Sequence, residues 1–239
     1  MQFLAIRSNK RERADKRPHA RAFVITKDRK FGEVIEEQHI SIRRNILIAG
    51  QHGSGKTRWI ERLRDNAGRI WASRTAKPLF LQAVMSVSDW TTGKHLETWW
   101  PDYCTRTGGD DRHWKKLSAG ERQRALPLYL SDTGAVLFID DSHKLTGKKL
   151  DIAKRCVMDA KVWVITAADE VRIAPSLRHE VLKAGPQIFR LSTQVAYDST
   201  KMLVWLGILV AGFVGSPELA AILAGLNMLA TGRKATRQQ

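Results

Sequence analysis

An eight-residue segment of this chain has the residue types and the spacing that bind phosphate groups. It matches the pattern G-x-x-x-x-G-K-[ST] in full, with glycines that let backbone N–H groups converge on phosphate oxygens. A helix beginning near Lys56 would add the positive end of its dipole. We expect Lys56 to reach the β and γ phosphates of ATP and the Thr57 hydroxyl to bind Mg²⁺. The predicted binding residues are Gly50, His52, Gly53, Ser54, Gly55, Lys56 and Thr57.

Two consecutive carboxylates, Asp140 and Asp141, end a second apolar segment. The residues before them, Ala135 to Ile139, are all apolar and predict a buried strand. Asp140 is expected to bind Mg²⁺ together with Thr57, and Asp141 to orient or deprotonate a water molecule. The alternative for Asp141 is a structural role, because Asp is also a preferred N-cap residue.

Buried strands alternate with amphipathic helices between residues 45 and 191. This alternation predicts an α/β fold, a three-layer sandwich whose mostly parallel sheet is covered on both faces. The predicted strands are Asn45 to Ala49, Arg69 to Ala72, Leu79 to Val84, Ala135 to Asp140, Lys161 to Thr166 and Gln187 to Leu191. The predicted helices are Lys56 to Arg64, Glu121 to Leu130, Leu150 to Asp159 and Pro175 to Lys183.

The phosphate-binding segment, its flanking elements and the paired acids resemble the P-loop NTPases, across residues 42–192. A strand that ends in Thr166 and is followed by a helix with arginines makes this region similar to the AAA+ ATPases. The resemblance implies that Thr166 senses the γ-phosphate and that Arg178 or Arg172 reaches the site of a neighbouring subunit. It also implies ATP and Mg²⁺ as cofactors and a homo-oligomer as the working form.

The segment Leu117 to Arg124 also resembles the LSGGQ signature of ABC ATPases. That resemblance implies that Ser118 and Gly120 contact the γ-phosphate bound by a second subunit. The chain departs from the ABC pattern because no histidine follows the predicted strand 161–166. A structural alternative exists, since Ser118 and Glu121 have the spacing of a capping box that begins a helix.

Aromatic and basic residues alternate in residues 86–116, which are predicted to be an insertion between core elements. Such a mixture is able to bind nucleic acid by stacking on bases and neutralising phosphates. Tryptophans also anchor small cores, and this packing role is the interpretation we favour. The aromatic residues concerned are Trp90, Trp99, Trp100, Tyr103 and Trp114.

Basic residues outnumber acidic ones by 40 to 24, so the chain has a formal charge of +16. This excess favours a polyanionic partner, either nucleic acid or an acidic membrane surface. The hydrophobic content of 43% is typical of a globular protein and excludes a disordered chain. Much of the excess lies near the start of the chain, where residues 8–21 lack apolar periodicity and predict a basic arm that is mobile or ordered by a partner, with nucleic acid as the candidate partner. The alternative is a solvated arm that only promotes solubility.

A long apolar stretch, Met202 to Ala230, contains a single ionisable side chain, Glu218. The pattern from Ser216 to Glu218 is typical of a helix start and divides the stretch into two short helices. We predict a helical hairpin in the membrane with both ends at the cytoplasmic face, because the basic residues flank its outer ends. A helical pair buried in an oligomer interface is the alternative, since each half is short for a bilayer.

These features predict three segments: a basic arm with leading strands (1–41), a P-loop ATPase domain (42–192), and the hydrophobic hairpin with a basic tail (193–239). The function we expect is that of a membrane-associated oligomeric ATPase at the cytoplasmic face of the inner membrane. It would move or assemble DNA or a protein partner, as in phage morphogenesis, DNA packaging or transfer. The alternatives are an ATP-regulated scaffold with little turnover and an ABC-like dimeric ATPase.

Overall fold

The fold of this protein is known from a computed structural model, which describes residues 2–8, 20–27, 33–72, 74, 76–109 and 112–191. The strands in this part are β1 (Gln2–Ser8), β2 (Ala20–Lys27), β3 (Val34–His39), β4 (Ile46–Gly50), β5 (Leu79–Gln82), β6 (Leu137–Asp140), β7 (Trp163–Ala167) and β8 (Gln187–Leu191). The helices are α1 (Lys56–Asp65), α2 (Ala67–Ile70), α3 (Val87–Trp90), α4 (Lys94–Thr107), α5 (Ala119–Thr133), α6 (Gly147–Asp159) and α7 (Pro175–Lys183). Short 3₁₀ turns cover Trp114–Lys116 and Ser142–Lys144.

The centre of the fold is a five-stranded sheet in the order β5-β6-β7-β4-β8, and its neighbouring strands are parallel. The predicted α/β fold with a parallel sheet is therefore confirmed. Because the strands are parallel, their carboxyl ends all lie at one edge. This edge brings together the end of β4, which leads into the glycine-rich segment, and the ends of β6 and β7, which carry Asp140 and Thr166.

Side chains of the sheet alternate between two separate cores, as the two-residue period of a strand requires. Leu47 of β4 packs in the core formed with α4, α5, α6 and α7. Its neighbours Ile46 and Ile48 pack in the other core, formed with α1, α2, β1 and β2. The result is three layers, with a small second sheet contributing to one outer layer.

That second sheet is antiparallel, with the order β1-β2-β3. Leu4 and Val24 are buried in the same core as α1, so these strands pack onto the domain. Ser8 pairs with Ala20, and Arg7 pairs with Arg21. The prediction of an unpatterned arm is therefore wrong at both of its ends, because backbone pairing forms strands there without apolar periodicity. Its middle, residues 9–19, lies outside the described residues.

The strand predicted at Arg69 to Ala72 is also wrong, since α2 and a turn occupy these positions. The backbone N–H of Trp71 donates to the Ala67 carbonyl at 2.8 Å, which is a helical hydrogen bond. Trp71 is nevertheless buried, edge-to-face against Phe138 of β6. A short apolar run is compatible with a strand or a helical turn, and here the helical turn places the indole in the core.

The aromatic residues of the predicted insertion pack in the interior. Trp90, Trp99 and Trp114 are buried in the core that contains α5 and α6. Their indole N–H groups donate to neighbouring oxygens, as in the 2.7 Å bond from Trp99 Nε1 to Asp132 Oδ2. The packing interpretation is confirmed for these three tryptophans, whose ring faces are covered by protein.

Within residues 2–191, as far as they are described, no helix combines the length and the apolar character needed to cross a bilayer. The predicted hairpin, Met202 to Ala230, lies outside the described residues, as does the basic tail after it.

Candidate functional site

The segment from Gly50 to Thr57, called the phosphate loop below, connects β4 to α1 at the carboxyl edge of the sheet. Gly53 and Gly55 have φ angles of 78° and 85°, in the left-handed region that favours glycine. Gly55 is the N-cap of α1 and makes no side-chain cap. The N–H groups of the first turn are thus available to an anion, at the positive end of a 10-residue helix.

Gly50 is required for a different reason, namely space. A Cβ atom added there would lie 2.6 Å from Ser54 Oγ and 2.8 Å from the Leu191 carbonyl oxygen of β8. Among the described residues, Ser54 Oγ is buried and has no hydrogen-bond partner. A buried hydroxyl without a partner in this loop fits a phosphate oxygen as its ligand.

Lys56 begins α1 and is buried, with its Nζ donating to the Gln51 carbonyl oxygen at 2.8 Å. The ammonium group therefore lies across the phosphate loop. Burial lowers the pKa of Lys56, while the charges of Asp141 and Asp140 act in the opposite direction. The two acids are thus close enough to Lys56 to act on it electrostatically. His52 and Thr57, the other predicted ligands, are exposed at the loop.

Asp140 ends β6 as a buried carboxylate, and its Oδ1 accepts a 2.6 Å hydrogen bond from the Thr166 hydroxyl. Thr166 lies on β7, the strand between β6 and β4, at the level of Ile48. The same Oδ1 also accepts from the Asp141 N–H at 3.1 Å. Oδ2 has no donor among the described residues, and the binding of Mg²⁺ by Asp140 stays a prediction.

Asp141 is the one non-glycine residue with positive φ in the described ranges, at 55°. Its N–H donates to Thr166 Oγ1 at 2.9 Å, and its Oδ2 accepts from Lys144 Nζ at 2.5 Å. Although Asp141 precedes a 3₁₀ turn, its side chain does not cap that turn. The N-cap alternative therefore does not account for this carboxylate, which a strained backbone holds at the sheet edge.

Sequence reasoning missed the two residues that follow. Ser142 Oγ donates to the Thr166 carbonyl oxygen at 2.8 Å, and His143 Nδ1 accepts from the Ala168 N–H at 3.2 Å. Both bonds tie the turn after β6 to the end of β7. Burial lowers the pKa of His143, and nearby Asp141 opposes that shift. Their position directly after the paired acids is visible in the sequence, but it does not reveal these two bonds to the end of β7.

The two predicted arginines lie after β7, which also ends at this edge. Arg172 is exposed and close enough to His143 to contribute to the lowering of its pKa. Arg178 is half-buried on α7, and its Nη1 donates to the Val171 carbonyl oxygen at 3.1 Å. The action of either arginine on a neighbouring subunit stays a prediction.

Ser118 begins α5 with a reciprocal capping box. Its Oγ accepts from the Glu121 N–H at 3.3 Å, and Glu121 Oε2 accepts from the Ser118 N–H at 2.7 Å. These bonds and that from Arg112 lower the pKa of Glu121 to about 2. The structural alternative is thus confirmed for Ser118, and a contact from Ser118 or Gly120 to a partner's γ-phosphate stays a prediction.

No cluster of three or more His, Cys, Asp or Glu side chains suited to a metal occurs in the described ranges. Mg²⁺ at nucleotide sites is commonly held by one or two protein oxygens together with phosphates and water. The hydroxyl of Thr57 and Oδ2 of Asp140 are such oxygens, so the residues present fit this ion.

Comparison with known proteins finds no matching family model and no matching curated protein. Solved structures do match the chain. Domain III of the Thermotoga maritima replication initiation protein DnaA aligns at 16% identity and a TM-score of 0.37, over 63% of this chain and 55% of that one. The Aeropyrum pernix ORC2 protein, solved as ADPNP-ADP complexes, aligns at 13% identity and a TM-score of 0.35, over 62% of this chain and 41% of that one.

An ABC transporter ATP-binding protein from Pyrococcus furiosus aligns at 14% identity and a TM-score of 0.29, over 82% of this chain and 94% of that one. The chain thus spans about half or less of the DnaA and ORC2 structures and most of the third. The predicted resemblance to P-loop NTPases rests on the chain's own residues and on the parallel sheet in which the phosphate loop connects β4 to α1.

Proposed function

We propose that this chain is an ATPase that binds Mg²⁺–ATP at the phosphate loop and hydrolyses it. One observation carries the proposal. Asp140 is buried and hydrogen-bonded to Thr166 at the same sheet edge as the phosphate loop. The negative charges of Asp140 and Asp141 there favour the protonated form of Lys56 by raising its pKa. A cation in a cradle of N–H groups, opposite two carboxylates, is suited to a phosphate chain with its metal ion.

Each side chain then has a defined task. The loop N–H groups and Ser54 Oγ bind phosphate oxygens, and Lys56 exchanges the Gln51 carbonyl for the β and γ phosphates. Thr57 and Asp140 hold Mg²⁺, which when bound neutralises the charge that develops on the phosphates. Asp141 accepts a proton from the attacking water, a role that requires its carboxylate to leave Lys144.

Further parts of the proposal extend beyond the catalytic site. The ATPase works as a homo-oligomer in which Arg178 or Arg172 completes a neighbour's site. It is attached to the cytoplasmic face of the inner membrane through Met202 to Ala230, and its basic N-terminal arm binds nucleic acid. The apolar C-terminal stretch and the +16 charge support these assignments. The output is movement or assembly of DNA or a protein.

The proposal is tested by measuring ATP and GTP hydrolysis by the full chain with and without Mg²⁺. The same assay is repeated with duplex DNA, single-stranded DNA and anionic liposomes. Mg²⁺-dependent release of phosphate from ATP supports the proposal, and DNA stimulation that weakens steeply with salt identifies the charged partner. Tight ATP binding with background turnover under every condition would instead support the ATP-regulated scaffold.

A further inference from the structure

A groove between α5 and α6 has the chemistry of a second ligand site, separate from the phosphate loop. Its volume is about 370 Å³, in the range of about 300–1,000 Å³ that small-molecule sites occupy. None of the residues that line it belongs to the phosphate loop or to the acidic end of β6. The residues that matter are Gln123, Arg124, Pro127, Lys148, Asp151 and Arg155.

Helical spacing places the charges along this groove. On α6, Lys148, Asp151 and Arg155 are separated by three and four residues and therefore share one face. Arg124 faces them from α5, where its Nε donates to the Gly120 carbonyl oxygen at 3.3 Å. The three cations are exposed, and none of them forms an ion pair with another described residue. With one carboxylate against three cations, the groove has a net positive charge.

Gln123 adds an unpaired acceptor to this positive groove. Its side chain lines the groove but is only 7% exposed, and its buried Oε1 has no hydrogen-bond partner among the described residues. In addition, Pro127 lies four residues further along α5 and has no N–H to donate to the backbone carbonyl of Gln123. Buried polar atoms are normally hydrogen-bonded, so an unpaired amide oxygen at a ligand-sized groove indicates that a donor on a ligand completes it.

We infer that this groove binds a nucleotide unit, with its phosphate among Arg124, Lys148 and Arg155 and a base or sugar donor on Gln123 Oε1. Phosphate supplies the negative charge that the three cations require, and nucleobase N–H groups supply the donor that the amide requires. The unit comes either from a free nucleotide or from a single strand of nucleic acid. The inference does not depend on hydrolysis at the phosphate loop.

The test uses two probes with the full chain: AMP, followed by calorimetry, and a fluorescein-labelled oligothymidylate, followed by anisotropy. The double variant Lys148→Gln/Arg155→Gln is compared with the control Lys161→Gln/Lys183→Gln, which removes two exposed charges outside the groove. We expect about ten-fold weaker binding for the groove variant and less than about two-fold for the control. With the oligonucleotide, the salt slope should fall by up to about 0.7, because the one phosphate that these cations share is no longer neutralised.

A third variant, Gln123→Met, separates ligand binding from a structural role. It removes the unpaired acceptor at similar size, so the free energy of unfolding should stay equal or rise, whereas probe affinity should fall about five-fold. Loss in the AMP arm identifies a free nucleotide, and loss in the oligonucleotide arm alone identifies a strand. Binding that survives Lys56→Ala places the probe outside the phosphate loop. The inference is overturned if neither probe binds saturably, or if the groove variant behaves like its control.

Discussion

The hydroxyl of Thr166 donates a 2.6 Å hydrogen bond to Oδ1 of Asp140, and both side chains are buried at the carboxyl edge of the sheet. Because the same hydroxyl accepts the N–H of Asp141, one side chain contacts both acids at the end of β6. The resemblance implied that Thr166 senses a γ-phosphate. That role stays a prediction, whereas the structure shows Thr166 bonded to the carboxylate that we assign to Mg²⁺.

Replacing Thr166 with valine should therefore disturb both acids. The change keeps the shape of the side chain but leaves the Asp141 N–H and Asp140 Oδ1 without the hydroxyl, which should cost about 1–3 kcal/mol of the free energy of unfolding. Hydrolysis should fall, and more Mg²⁺ should be needed for half-maximal activity. Thr166→Ser is the control, because it keeps the hydroxyl. Equal Mg²⁺ requirements for the valine variant and the wild type would contradict the orienting role.

Asp141→Asn tests the proton-accepting role without disturbing the backbone. Asn tolerates the left-handed conformation that Asp141 adopts, so the variant should fold normally. It cannot accept a proton from water, and we expect hydrolysis to fall by about 10²- to 10⁴-fold while the Kd for ATP changes little. Stopped-flow binding and single-turnover hydrolysis measure the two effects separately. Hydrolysis at the wild-type rate would exclude Asp141 as the base.

Gly50→Ala should weaken nucleotide binding through a steric effect. The added Cβ would press against Ser54 Oγ and the backbone of β8 at Leu191, and the backbone is unable to yield as a flexible side chain does. The expected result is at least about ten-fold weaker ATP binding with a lower Tm. Gly68→Ala on α2 is the control, since its Cβ meets nothing within 4 Å and alanine favours a helix. Unchanged ATP affinity in Gly50→Ala would contradict the close packing of the loop.

Acid should destabilise the domain through two histidines. Burial lowers the pKa of both His143 and His95 below the ordinary value of 6.5. Their neutral forms stabilise the fold above that value, and this contribution is lost as the pH falls through the lowered pKa. The Tm should therefore fall as the pH is lowered below about 6.5. The double variant His95→Phe/His143→Asn should show a smaller fall than the wild type.

The exposed residue His179 provides the control for this pH experiment. His179→Asn should leave the dependence of Tm on pH as it is in the wild type. If the double variant also retained the full dependence, the destabilisation would have another source.

The sequence was sufficient to predict that the segment from Gly50 to Thr57 connects a buried strand to a helix and that Asp140 ends another buried strand, because the flanking apolar patterns are specific. It also predicted the residues of β8 and α7 correctly. The helical turn at Trp71 was missed because a short apolar run fits two backbone conformations. The pairing of Ser8 with Ala20 depends on backbone hydrogen bonds. The side-chain pattern of this region gives no sign of it, because the residues between the two are mostly polar.

The finer arrangement of the site depends on contacts distant in sequence. The bond from Ser142 to the Thr166 carbonyl joins residues of two different strand ends, and so does the bond from the Asp141 N–H to the Thr166 hydroxyl. The close packing around Gly50 is likewise long-range, because Leu191 of β8 lies against it beside Ser54. Such relationships follow from the order of the strands in the sheet, and local residue patterns do not specify that order.

The most direct measurement of the central claim is the rate of ATP hydrolysis by the full chain beside that of Lys56→Ala. Lys56 is buried and lies across the phosphate loop, with its Nζ on the Gln51 carbonyl oxygen, so its removal takes away the cation that we assign to the β and γ phosphates. We predict that Mg²⁺-dependent hydrolysis falls by at least about 100-fold while the fold, measured by circular dichroism, is retained. Hydrolysis at the wild-type rate in Lys56→Ala would contradict the claim that this loop is the catalytic site.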